Sequence, residues 1–154
     1  MQFLDKAKEF DKNPLLKKLI FFLVITLLLY LGLDILLHQQ QIGLTFKMAS
    51  HTILGNEEEF LDPILFDALL EHVHANILSS MLTLLLLSSI YIRLNPKSKQ
   101  RLIHVSFITA IFSHITLLLT TTLSLFISIW IILFLLWHFS AFLLGLVIIG
   151  KLVK

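Results

Sequence analysis

Apolar residues in this chain come in long uninterrupted blocks separated by short polar stretches, with no sustained period-2 alternation of the kind a half-buried strand shows. Four blocks stand out, at 15–37, 73–94, 102–123 and 125–149. Each holds about 20 residues or more, enough at about 1.5 Å per helical residue to cross a hydrocarbon core about 30 Å thick. Asn13-Pro14 marks the first start, with Asn as N-cap and Pro at the first helical position. Asp62-Pro63 reads as a second start of the same kind. One helix then runs from Pro63 to about Arg93, on the order of 45 Å, and extends beyond the outer face. Ahead of the first block, residues 1–13 place Phe3, Leu4, Ala7 and Phe10 on one stripe among charges, the pattern of an interfacial amphipathic helix. The expected architecture is all-α: one transmembrane domain over 1–154, an integral membrane four-helix up-down bundle with an outer loop at 38–72 and a cytoplasmic loop at 95–101.

Composition agrees with the pattern. Hydrophobic residues make up 57% of the chain and charged ones 14%, more apolar surface than a soluble core of this size could absorb. Basic residues orient the bundle. Lys6, Lys8, Lys12, Lys17 and Lys18 precede the first span; Arg93, Lys97, Lys99 and Arg101 lie between the second and third; Lys151 and Lys154 follow the fourth. In a four-span topology all of these fall on one side and only Lys47 on the other, so both termini are expected in the cytoplasm, in a bacterial cytoplasmic membrane. The first span is too long for a signal peptide and is read as retained. A net charge of +2 gives no basis for nucleic-acid binding. With no cysteine, thiolate metal sites, iron–sulfur clusters and c-type haem attachment are excluded.

The candidate chemistry lies in the seven histidines. His114 stands about 18 Å from the inner edge of the third span and His138 about 17 Å from that of the fourth. The two arrive at one level, mid-bilayer, on helices joined by a short turn. Two readings follow. In one, the imidazoles bond each other or the hydroxyl stripe of Ser106, Thr109, Ser113, Thr116 and Thr120, and hold the two spans together. In the other they are axial ligands of a haem b, with Ala110, Ala141 and Gly145 as small residues that let the macrocycle approach and Phe107, Phe134 and Phe142 covering its faces.

With four spans, inner termini and mid-membrane His114 and His138, the chain resembles the four-helix membrane-bound b-type cytochromes that anchor haem in larger redox enzymes. The resemblance implies an electron-transfer subunit rather than a stand-alone enzyme. It would exchange electrons with a quinone or a partner redox subunit, with haem b held between spans three and four by His114 and His138.

A second cluster lies at the outer end. Asp67, Glu71 and His74 share a helix face, and Asp34 and His38 sit four apart at the end of span one. His72 joins them if the first two spans touch, giving a donor set suited to a divalent transition metal. A solvated polar helix end explains the same residues, and a quinone pocket exchanging protons with an imidazole or carboxylate is a third reading. Three functions therefore stand side by side: a small membrane cytochrome, a membrane protein with an outer metal site, and a cofactor-free structural or assembly subunit, each in contact with lipid and with a redox partner or further copies of itself.

Overall fold

The computed structural model describes residues 13–94 and 100–153. The expected interfacial helix over 1–13, but for Asn13, and most of the loop at 95–101 lie outside the described residues. Helix α1 covers Pro14–Gln41, α2 Phe46–Leu54, α3 Phe66–Leu94, α4 Arg101–Leu119 and α5 Leu125–Leu152. A single 3-10 turn, Glu57–Glu59, lies between α2 and α3. Among the described residues the only strand-like pairing is an isolated bridge, Asn56 to Leu61. Helices α1, α3, α4 and α5 are each long and apolar enough to cross a membrane, and the chain is an integral membrane protein.

The start of α1 follows the capping rule. The Asn13 side chain accepts from the backbone N–H groups of Leu15 (3.1 Å) and Leu16 (3.2 Å), satisfying two otherwise unpaired donors, and Pro14, which has no N–H to satisfy, occupies the first helical position. The expectation at Asp62-Pro63 is not met. Residues 62–65 stay non-helical and α3 begins at Phe66. The reason is a competing local fold: Gly55, at φ 81°, ends α2, the chain doubles back through the Asn56–Leu61 bridge, and the Ile64 N–H bonds the Thr52 carbonyl at 3.2 Å. The Pro63 ring is seated so close to Gly55 that a Cβ there would lie 3.0 Å from Pro63 Cδ and 2.8 Å from the Leu61 carbonyl oxygen.

Helix α5 is the hub of the bundle: it packs against α4, α1, α3 and α2, and α3 packs against α4. By contrast α1 barely touches α3. Two buried clusters result. One joins Val24, Leu31, Leu84, Ala110, Trp137, Ala141 and Leu144 through the length of the bundle. The other joins Ala49 and Ile53 of α2 to Leu69, Ile127, Trp130 and Phe134, so α2 caps one end of α5. Outward-facing leucines and phenylalanines on α1, α3, α4 and α5 are exposed, as lipid-facing side chains must be. On α2 and the turn after it, Phe46, Met48, Leu54 and Phe60 are exposed as well, a surface fit for the membrane interface.

The small residues expected to admit a haem serve helix packing instead. Ala110 and Ala141 are both fully buried in the first cluster. Gly145 admits Leu28 of α1: a Cβ at this position would meet Leu28 Cδ2 at 2.5 Å and Cγ at 3.0 Å. Gly145→Leu should therefore separate α1 from α5 and destabilise the folded bundle by about 1–3 kcal/mol. Gly150→Ala, which meets nothing within 4 Å, should be neutral or slightly stabilising. Thermal unfolding of the two variants in detergent, followed by helical circular dichroism, checks the contrast.

Candidate functional site

A carboxylate in an apolar helix is costly, about 2.5–3.5 kcal/mol or more, and persists only if partners meet it. Asp34 is the one acid within α1, and only 7% of it is exposed. Its Oδ2 lies 3.0 Å from His138 Nε2 on α5, and its Oδ1 lies 3.4 Å from His38 Nδ1 one turn along α1. The backbone rise places His138 about 20 Å from Lys151, near the middle of the 28-residue α5.

Hydrogen-bond chemistry fixes what these rings carry. His138 Nδ1 is 2.9 Å from the Phe134 carbonyl, which can only accept, so that nitrogen bears a proton. The contact between its Nε2 and the Asp34 carboxylate then needs one further proton, shared between the two atoms. The His138–Asp34 pair thus holds a proton in the middle of the bundle. His38 Nδ1 donates in the same way to the Asp34 carbonyl at 2.9 Å, which leaves its Nε2 facing outward along the helix. That nitrogen lies 3.2 Å from His72 Nε2 on α3.

Asn76 closes the chain of contacts. Its amide lies 2.9 Å from His72 Nε2 and 3.3 Å from His38 Nε2. When both nitrogens are bare, the amide –NH2 donates to each; when a proton lies between them, rotation of the amide turns its oxygen in as an acceptor. The arrangement accommodates both proton counts without leaving a buried polar atom unpaired. His72 and Asn76 are partly exposed, so the line of contacts runs from partly exposed groups to a buried end at His138.

Aromatic side chains wall this line. Phe134 lies between two imidazoles, with ring centroids 4.5 Å from His38 and 4.2 Å from His138. The Trp137 ring lies against the other side of His138, at 3.7 Å and 37°. On the α1–α3 side the wall is incomplete. There a cleft of about 500 Å³ opens between the two helices, lined by Leu33, Leu36 and Leu37 and by the polar side chains of Tyr30, Asp34, Gln40, Asn76 and Ser79.

The two histidines expected to face each other turn to different helices. His114 Nε2 bonds Ser80 Oγ of α3 at 2.9 Å, while His138 Nε2 bonds Asp34 of α1. The outward nitrogen of each ring is thus taken by a protein partner, and Trp137 and Phe134 pack directly on His138. The residues present do not fit a haem held between α4 and α5 by His114 and His138. The hydroxyl stripe of α4 bonds mostly to its own helix, as Thr109 to the Val105 carbonyl (2.7 Å) and Thr116 to that of Phe112 (2.8 Å). Ser106 bonds the Leu102 carbonyl of its own helix at 2.9 Å and also reaches Ser140 of α5 at 2.8 Å, while the buried Ser113 hydroxyl has no partner among the described residues.

The outer metal set is also divided. Asp34, His38 and His72 come together, but Asp67, Glu71 and His74 are exposed on α3 and have no part in the cluster. Among the described residues no group of three or more histidines and acids is placed to hold a metal ion. Residue order did not reveal the Asp34–His138 contact, the Asn76 bridge, the Ser80 partner of His114 or the place of Tyr30 in the lining of the cleft. One signal pointed to the first: an acid in an otherwise apolar span needs a deep partner, and His138 was one of two at depth.

Asp34 and His138 should be strongly coupled in stability. Asp34→Ala should destabilise the bundle by about 3–5 kcal/mol because it strands a buried imidazole. In the double variant Asp34→Ala/His138→Leu, much of that loss should return. Denaturant unfolding of the four members of the cycle measures the coupling, and additive single effects would show that the contact is not formed.

The chain belongs to the Aq_1264_TM family, described as a transmembrane helical domain, whose match covers residues 43–154. That stretch contains α2 to α5 and so His72, Asn76, His114 and His138; Asp34 and His38, on α1, precede it. No curated protein and no solved structure matches the chain.

Proposed function

We propose that this protein carries protons between one face of the membrane and a buried site within it, by a relay of Asp34, His38, His72 and His138 with Asn76 as its adaptable partner. The single observation behind this reading is a line of close contacts: His138 to Asp34 at 3.0 Å, the Asp34 carboxylate to His38 Nδ1 at 3.4 Å, beside the bond this nitrogen gives the Asp34 carbonyl, and His38 to His72 at 3.2 Å. Chains of acids and imidazoles at membrane depth are the usual material of proton paths, because each member can accept on one side and donate on the other. A purely structural contact would need one carboxylate and one imidazole. Here three imidazoles follow in line, and the last two share an amide suited to both proton counts.

The relay is a half-path. It leads from His72 and Asn76 to His138, where Nδ1 is committed to a backbone carbonyl. Its buried end therefore serves a proton donor or acceptor inside the membrane and does not by itself conduct across the bilayer. The basic residues support an orientation with both termini in the cytoplasm, which makes the His72 end the outer one. In that orientation α3, about 43 Å long for 29 residues, projects beyond a core of about 30 Å. The exposed Asp67, Glu71 and His74 then stand in water at its outer end, with Asp67 in the first turn complementing the helix dipole.

Infrared difference spectroscopy of the protein in oriented vesicles tests the relay. A pH jump on the outer side should change the carboxyl and imidazole bands of Asp34 and His138. The response should vanish in Asp34→Asn and slow at least tenfold in His72→Phe. A response that is indifferent to His72→Phe and His38→Phe would refute the relay. So would a Soret band from protein expressed with ample haem that disappears in His138→Ala, since His138 would then be a ligand.

A further inference from the structure

The proton line passes beside an opening between α1 and α3, and the opening has the chemistry of a binding site. Helices α1 and α3 barely touch, and between them lies the 500 Å³ cleft. Its volume falls within the range of small-molecule sites, about 300–1,000 Å³. The leucines at its mouth, Leu33, Leu36 and Leu37, are exposed by 65%, 59% and 45%, on a helix that crosses the membrane. A ligand that enters between them comes from the lipid phase. Hydrogen-bonding groups lie deeper: the Tyr30 and Ser79 hydroxyls, the Asn76 amide and the Asp34 carboxyl group.

This combination narrows the ligand. A phospholipid would place its charged head at the interface, level with lysines or arginines; among the described residues no cation lines this cleft. A partner helix packs best on a surface of small residues, whereas leucines, a tyrosine and an acid dominate here. What suits these walls is a flat ring with two oxygen atoms on an apolar tail, a molecule that takes hydrogen bonds as a ketone and gives them as a hydroxyl. Two of the lining residues, Asp34 and Asn76, are also members of the proton line. A ligand seated there touches the relay without an intervening residue.

We infer that the α1–α3 cleft binds a membrane quinone or quinol, its head group against Tyr30, Asp34, Asn76 and Ser79 and its tail leaving between the leucines of α1. The inference rests on the relay reading for its purpose, since the relay would then connect the bound head group to the outer face. For its geometry it rests on the cleft alone.

Photolabelling with an azido-ubiquinone in lipid nanodiscs is the test. Adducts should be saturable, displaced by a short-chain ubiquinone, and confined to α1 around Tyr30–Gln40 and to α3 around Asn76–Ser79. Ser79→Phe and Leu33→Trp, which fill the cleft, should weaken labelling at least tenfold. Should either variant fail to fold, the adduct positions in the unaltered protein carry the test. Labelling that does not saturate, that maps to other helices, or that yields to excess phospholipid as readily as to ubiquinone would overturn the inference. A cross-link between two copies of the chain through Leu33 and Leu37 would overturn it too, by filling the cleft with protein. The infrared response of the unaltered protein, read in the same preparation, separates the two proposals. A normal pH-jump response without specific labelling removes the quinone site and leaves the relay; specific labelling without the response does the reverse.

Discussion

One carboxyl group sets the terms for this bundle. Asp34 is almost wholly buried on an apolar helix, so the helix that carries it is held against a helix that carries a base. The contact to His138 ties α1 to α5 and sets the depth of one against the other. The packing of Leu28 into the space left by Gly145, two turns along α5, agrees with that register. Because α5 also touches α2, α3 and α4, the position of Asp34 is transmitted to every helix in the structure.

The same contact also has a chemical side. A buried ion pair can be replaced by apolar residues with little loss of stability, and often with a gain. The contact with two more imidazoles in line therefore goes beyond what holding two helices together requires. The aromatic wall fits this account. Phe134 packs on His38 and His138 and Trp137 on His138 on the α5 side, and the cleft lies toward α3. His114, by comparison, is a packing histidine: its Nε2 is satisfied by Ser80, and it takes no part in the line of contacts.

Much of the fold could be read from residue order. The four spans and the Asn13-Pro14 start are local properties of hydropathy and capping, and they appear as expected. The Asp62-Pro63 start failed because the backbone around Gly55 and Ile64 found hydrogen bonds in a doubled-back turn instead. The candidate residues were also mostly legible, since Asp34, His38, His72 and His138 all stood out as ionisable groups in or beside apolar runs. Their grouping was not. Matching His114 to His138 by depth used the rise along each helix and ignored the direction of each ring around it.

That distinction marks the boundary between chain and fold. Residue order alone determined how many helices cross the membrane, roughly where they start, and which polar side chains are carried into it, because these depend on composition within a single segment. Which of those side chains meet was decided only by tertiary structure. Helices apolar on nearly every face carry no hydrophobic stripe to orient them, so their rotation and vertical offset follow from packing. It took Leu28 against Gly145, and α1 against α5 rather than against α3, to bring an acid from near the end of one span beside a histidine from the middle of another.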